Sequence, residues 1–326
     1  MRTVGIIGAG AWGTALATVA ARAGLAVTLY ARDPAMVDTV NRHHRNETRL
    51  PGIDIDPSIA ATDDIGRAAR NDLVLLAVPA QTMRATATAA TAAGIAPGTP
   101  LVICAKGLER GSDKRLSEVV GETVPHARAA ILSGPSFAAD VARGLPTAVT
   151  IAAADEALAL ALCRALAGPA FRPYAETDLV GVEIGGAVKN VLAIAAGIVS
   201  GRGLGASALA ALIARSFAEL RRLGEALGAR PETLMGLSGL GDLVLTCSGP
   251  QSRNFSYGVS VGGGKADAPH PLAEGIATAA VARDLARRRG ILMPIVEAVA
   301  AVLEGTLTVD AAIEGLMTRP LKREAD

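Results

Sequence analysis

Two kinds of residue in this chain are equipped for chemistry: glycines spaced to admit a phosphate, and lysines set in apolar surroundings. Gly8-Ala9-Gly10-Ala11-Trp12-Gly13 has the G-x-G-x-x-G spacing and follows the apolar run Thr3 to Ile7. Between a strand and a helix, the first glycine permits a tight turn and the second lets a pyrophosphate approach the backbone. The third lets helix and strand pack closely, while amides at the helix start face the phosphate. Gly8, Gly10 and Gly13 are therefore candidate dinucleotide contacts. A glycine turn without a ligand is the plainer alternative, and the strand–turn–helix order disfavours it.

The end of the next apolar run bears on which dinucleotide. NAD-preferring sites usually place an acid there for the ribose 2′-hydroxyl. This chain has Tyr30-Ala31-Arg32-Asp33, and the Arg32 guanidinium suits the 2′-phosphate of NADP. The expected cofactor is NAD(P), with NADP(H) preferred, and Asp33 one residue later keeps NAD open.

Cys104-Ala105-Lys106-Gly107 follows an apolar strand, as does Ala77-Val78-Pro79-Ala80-Gln81, which puts both at the sheet edge where ligands bind. Lys106 is thus a candidate contact, an ordinary exposed lysine being the alternative. Gly185-Gly186-Ala187-Val188-Lys189-Asn190 interrupts an apolar helix, with Gly186 and Lys189 on one face. Two interior glycines cost a helix about 1 kcal/mol each against alanine. That cost makes sense where something must approach closely. Lys189 therefore reads as catalytic, with desolvation and a second cation such as Lys106 lowering its pKa toward that of a neutral-amine base. A lysine snorkelling from the helix is the bland reading. Gly239-Leu240-Gly241-Asp242 through Thr246, then Ser252-Arg253-Asn254, gather polar groups suited to a phosphate, or form a plain polar turn.

Other patterns do not hold up. Gly262-Gly263-Gly264-Lys265 has Val259 and Ala266 where a P-loop needs glycine and Ser/Thr. Gly134-Pro135-Ser136-Phe137-Ala138 lacks the last glycine of a nucleophile elbow, and Arg287-Arg288-Arg289 closes a helix whose dipole it complements.

These residues need elements to hold them. Apolar runs at Thr3–Ile7, Val27–Tyr30, Leu73–Val78, Leu101–Ala105, Ala129–Leu132, Thr147–Ile151 and Phe171–Tyr174 alternate with helical stretches, predicting a parallel sheet covered on both faces. Beyond Tyr174, long alanine- and leucine-rich helical segments dominate, such as Ser207–Leu227 and Ala277–Arg289. The fold class is α/β: a Rossmann-type dinucleotide-binding domain over 1–178, then an all-helical substrate-binding and catalytic domain over 179–326, with a cleft between them.

Composition narrows the partners. The 326 residues carry 32 basic and 31 acidic side chains, and this near balance argues against nucleic acid, which selects a basic surplus. Half of the residues are hydrophobic, but charges such as Asp155-Glu156 and Lys189 break the runs short of the ~20 apolar residues of a membrane span. Three scattered cysteines and four scattered histidines predict neither disulfides nor a metal site. The N-terminal apolar stretch, broken by Gly8, Gly10 and Gly13, reads as folded chain rather than a signal peptide, so the expected location is cytoplasmic.

Taken together, GAGAWGTALA, VPAQ, KGLE, SGPSFA, GGAVKNVLAIAAGI, GLGDLVLTC, SRN, LAEG, MPIVEAV and RPLK resemble bacterial NAD(P)-dependent glycerol-3-phosphate dehydrogenase, in order along nearly the whole chain. The resemblance implies interconversion of sn-glycerol 3-phosphate and dihydroxyacetone phosphate, supplying phospholipid synthesis, by a homodimer. It implies Lys189 as proton acceptor, with Lys106, Gly134, Ser136, Asp242, Ser252, Arg253 and Asn254 around the substrate. It further implies Ala11, Trp12, Arg32, Lys106, Ala138, Arg253, Leu272 and Glu274 as cofactor contacts. Departures are Ala11 where serine is common, Ser207 where asparagine is, and a shortened stretch at Ala266–Pro271. β-Hydroxyacid dehydrogenases, the nearest rival, space lysine and asparagine as K-x-x-N, whereas Lys189 and Asn190 are adjacent.

Overall fold

In a computed structural model of the chain, residues 1–265, 270–321 and 323 are described. The expected shortening at Ala266–Pro271 falls largely outside them, as does Lys322 of the RPLK motif. The strands are β1 (Thr3–Ile7), β2 (Ala26–Tyr30), β3 (Ala60–Thr62), β4 (Leu73–Leu76), β5 (Pro100–Ile103), β6 (Arg128–Ser133), β7 (Thr147–Ala153) and β8 (Phe171–Glu176). They form one sheet in the order β3-β2-β1-β4-β5-β6-β7-β8, which reverses direction between β1 and β4, the switch point where doubly wound sheets bind ligands. Helices α1 (Ala11–Arg22), α2 (Pro34–His43), α3 (Ile65–Ala69), α4 (Met83–Ala92), α5 (Leu116–Thr123), α6 (Ala138–Arg143) and α7 (Glu156–Leu166) alternate with these strands. Two separate apolar clusters line the sheet, one including Leu16, Leu29 and Leu75, the other including Ile7, Leu76 and Ile103.

Three features differ from the sequence reading. β4 and β5 end two residues early, at Leu76 and Ile103, so Ala77-Val78 and Cys104-Ala105 belong to the edge loops. The three-residue β3 has too little apolar pattern to be read ahead. The sheet is also not wholly parallel, since β7 pairs antiparallel with β6. The connection between them holds only the six-residue α6. Such a helix is about 9 Å long, less than the ~20 Å a six-residue strand covers, so the chain turns back from the edge it has reached.

From α8 onward every regular element among the described residues is helical: α8 (Leu179–Gly201), α9 (Ala206–Ala226), α10 (Pro231–Met235), α11 (Asp242–Cys247), α12 (Arg253–Gly262), α13 (Glu274–Arg288), α14 (Pro294–Leu303) and α15 (Val309–Met317). Helix α8 is the axis of this half and is buried from Gly181 to Ile198. It is the one described helix long and apolar enough to cross a membrane, and protein covers almost all of it. Its neighbours reach it because glycines let backbones touch. A Cβ on Gly258 would lie 2.2 Å from the Ile194 carbonyl oxygen, and one on Gly197 2.1 Å from that of Phe255. On α13, a Cβ at Gly275 would lie 2.5 Å from the Asn190 carbonyl oxygen.

Because that space is filled by backbone, Gly258→Ala must push α12 away from α8. We expect a loss of about 2 kcal/mol, read from the urea unfolding midpoint. An unchanged midpoint would show that the two helices separate without cost.

Candidate active site

The glycine loop follows β1 and starts α1. Gly8 has φ 119°, and a Cβ on it would lie 2.6 Å from the Ala77 carbonyl oxygen. A Cβ on Gly13 would lie 1.8 Å from the Gly8 carbonyl oxygen, so this glycine seats α1 against the strand. At Gly10 nothing lies within 4 Å of that position. Two glycines therefore serve the fold and the third faces open space at a helix start, an arrangement that fits a dinucleotide pyrophosphate. Trp12 lies in the first turn of α1, its indole N–H buried without a partner.

Arg32 is exposed just beyond β2. Asp33, which left NAD recognition open, uses its carboxylate to cap α2, accepting from the Ala35 amide at 3.0 Å. Ala138 opens α6, and Leu272 is half exposed just before α13.

The catalytic candidates converge on one carboxylate. The Lys189 ammonium donates to Asp242 Oδ1 at 2.9 Å, and Lys106 donates to Oδ2 at 2.7 Å. The Lys189, Lys106 and Asp242 side chains are only 9, 14 and 2% exposed. Asp242 opens α11 directly after Leu237–Gly241, a stretch of wide π-type turns of the kind often found at functional sites. Lys106 also donates to the Gly134 carbonyl at 2.8 Å, an oxygen that accepts from the Ser136 hydroxyl at 3.0 Å. Burial lowers the pKa of Lys106, and nearby Lys189 adds to this, while the Asp242 charge opposes both.

One sequence reading needs correction here, and another gains its cause. The expected pressure of one bare lysine on the other is incomplete, because Asp242 lies between them with both oxygens engaged. The cost of Gly185 and Gly186 also has an internal cause. A Cβ on Gly185 would lie 2.7 Å from the Ser238 carbonyl oxygen, and one on Gly186 2.6 Å from the Ser133 hydroxyl. What approaches α8 closely at these glycines is the chain's own wide turn and the end of β6.

The Ser252-Arg253-Asn254 segment divides its work. The Ser252 hydroxyl is buried, caps α12 by accepting from the Phe255 amide at 3.3 Å, and shares a hydrogen bond with Thr246 at 2.9 Å. Asn254 donates to Asn190 Oδ1 at 2.9 Å and accepts from the Gly275 amide at 3.0 Å. Asn190 in turn donates to the Lys106 carbonyl at 2.7 Å. Only Arg253 of the three is exposed, and no hydrogen bond or ion pair is seen for it among the described residues.

Glu274 ties the two sheet-edge loops together, accepting from the Ala80 amide at 3.0 Å and the Lys106 amide at 3.4 Å. Burial raises its pKa, against the pull of the Ala80 amide and the Arg253 charge. Glu183 is a residue the sequence reading missed. It extends from α8 to accept from the Ser117 amide at 2.8 Å and hydroxyl at 2.6 Å, fixing α8 to α5. A glutamate amid apolar residues of α8 was the available signal. Among the described residues no group of three or more His, Cys, Asp or Glu is placed to hold a metal ion.

Known proteins resemble the chain along its whole length. Residues 3–159 match the family model for the N-terminus of NAD-dependent glycerol-3-phosphate dehydrogenase, and residues 178–314 the one for its C-terminus. The glycerol-3-phosphate dehydrogenase [NAD(P)+] of Bradyrhizobium sp. strain BTAi1 is 62% identical over 323 residues, covering 99% of this chain and 98% of that protein. The enzyme of the same name from Caulobacter vibrioides is 57% identical over 331 residues, with the same coverage. The crystal structure of glycerol-3-phosphate dehydrogenase from Coxiella burnetii superposes with a TM-score of 0.92 at 37% identity, covering 98% of this chain and 99% of that one.

Replacing Asp242 by asparagine tests the shared carboxylate. The amide accepts from one lysine and sets its own N–H groups against the other, leaving a buried cation uncompensated. We expect a loss of about 3 kcal/mol in urea unfolding together with loss of activity; a variant as stable as the parent would show that the lysines do not depend on this residue.

Proposed function

The chain belongs to the NAD-dependent glycerol-3-phosphate dehydrogenase family, and from that membership we propose that Lys189 is the proton-transfer group of its reaction. The enzyme is an NAD(P)-dependent oxidoreductase that interconverts sn-glycerol 3-phosphate and dihydroxyacetone phosphate, the reduction supplying glycerol phosphate for phospholipid synthesis. The observation that carries the role of Lys189 is its buried ammonium, held with Lys106 on the Asp242 carboxylate at the ligand-binding edge of the sheet.

Bound NAD(P) supplies or accepts the hydride. Lys189 takes the C2 hydroxyl proton during oxidation and returns one to the ketone oxygen during reduction. Lys106, anchored by Asp242 and Gly134, offers positive charge beside that oxygen, where charge develops in the transition state. Arg253 presents its exposed guanidinium to the substrate phosphate. Ser136, Ser252 and Asn254 complete this site, and the internal bonds of Ser252 and Asn254 support a role in holding the start of α12. Gly8, Gly10, Ala11, Trp12, Gly13, Arg32, Ala138, Leu272 and Glu274 form the cofactor side. We favour NADP(H), because Arg32 is exposed and Asp33 is committed to its helix cap.

The division into a dinucleotide-binding part over 1–178 and a catalytic part over 179–326 is supported by the last strand ending at Glu176 and α8 beginning at Leu179. Cytoplasmic residence and a homodimer complete the reading, on family membership alone.

The test follows NAD(P)H absorbance with dihydroxyacetone phosphate. Lys189→Ala should lower kcat at least ~100-fold and leave cofactor binding by fluorescence titration unchanged; near-normal turnover would remove Lys189 from the mechanism. Arg253→Ala should raise KM for dihydroxyacetone phosphate about tenfold or more, and an unaltered KM would take phosphate recognition away from it. Run with both cofactors, the assay should give the lower KM with NADPH.

A further inference from the structure

We propose that Asn46, which belongs to none of the motifs above, is a positioning residue that sets the peptide of the glycine loop facing the cofactor phosphates. It lies between α2 and β3 and is 3% exposed. Its side-chain Nδ2 donates to the Ala9 carbonyl at 3.0 Å and to the Thr14 hydroxyl at 2.8 Å. Oδ1 is buried without a partner. Turning the amide over would place that oxygen against the Ala9 carbonyl, so the chemistry of the acceptor fixes which way it points.

The segment that carries Asn46 is itself held. Its backbone carbonyl accepts from the Leu50 amide at 2.7 Å and the Arg49 amide at 3.1 Å, while the Ile55 amide donates to His44 at 2.7 Å. Leu50, Ile53 and Ile55 are buried in the core beneath it. The donor aimed at Ala9 therefore comes from a fixed support.

The Ala9–Gly10 peptide needs such a donor. Gly10 must lack a side chain to leave the open space above it, and that same lack lets the peptide preceding it turn over easily. A trans peptide is planar, with its C=O and N–H pointing in opposite directions. Holding the Ala9 carbonyl at Asn46 therefore turns the Gly10 N–H the other way. The Gly10 carbonyl is held as well, accepting from the Thr14 amide at 2.9 Å. Asn46 and Thr14 together preset the entry to α1, so binding energy is not spent on ordering it.

The proposal rests on the glycine loop being the NAD(P) site, and its test separates the two claims. Asn46→Asp and Asn46→Ser are compared with the parent by NADPH fluorescence titration, by KM for dihydroxyacetone phosphate at saturating cofactor, and by thermal midpoint as a check of folding. The aspartate sets an acceptor against the Ala9 carbonyl, and the serine hydroxyl is too short to reach it. We expect the Kd for NADPH to rise about tenfold in each folded variant, with KM for dihydroxyacetone phosphate within about twofold of the parent. If the aspartate variant does not fold, the serine variant decides. An unchanged Kd, or a parallel rise in Kd and KM, overturns the role of Asn46. Failure of the parent itself to bind NADPH overturns the glycine-loop reading instead.

Discussion

Everything at this site depends on one buried carboxylate shared by two lysines. Taking charged groups out of water is costly, and an isolated buried ammonium would rather lose its proton than stay. Asp242 meets that cost for Lys106 and Lys189 together, with an oxygen for each. The three residues come from a sheet-edge loop, the central helix α8 and the first residue of α11, so the ion cluster exists only when sheet, core helix and wide turn are docked. Fold and chemistry are coupled through this contact.

The surrounding structure can be understood as a means of holding those three pieces in register. Glycines such as 185, 186, 197, 258 and 275 remove side chains where neighbouring segments press on α8. Polar residues then lock the resulting contacts. Glu183 fastens α8 to α5, and Glu274 fastens α13 to both sheet-edge loops. The amides of Asn254 and Asn190 run in series from Gly275 to the Lys106 carbonyl. These groups are mostly buried and hydrogen-bonded on both sides, which makes them strict about distance in a way that apolar packing is not.

How far the sequence is legible follows from the range of the interactions. The glycine loop, the order of strands and helices and the suspicious lysine in α8 are local features, and local spacing carries them. The partnership of Asp242 with residues 53 and 136 positions away is not local. Spacing shows that Asp242 sits in a polar turn; it does not show that both its oxygens are already taken. Ser252 and Asn254 illustrate the same limit, since a polar triplet suited to phosphate turns out to spend two of its three side chains on internal bonds. Glycines in a helix announce a close approach without saying who approaches; at Gly185 and Gly186 the neighbours are Ser238 and Ser133. The antiparallel β7 was hidden for a different reason: strand direction depends on how far a short connection can travel, and strand-like composition is blind to that.

The charge arithmetic of the cluster explains why an almost neutral protein can serve a doubly charged substrate. Two ammoniums on one carboxylate leave a single positive charge, and the exposed Arg253 is proposed to add another. When Lys189 gives up its proton, Lys106 and Asp242 remain as a neutral pair; when it regains one, the cluster returns to a single positive charge. Without Asp242 the same step would alternate between one and two uncompensated charges in a region with little water, where each is far more costly than at the surface. The carboxylate therefore does more than steady two side chains: with it in place the cluster carries at most one net positive charge, whichever form the proposed proton-transfer group Lys189 takes.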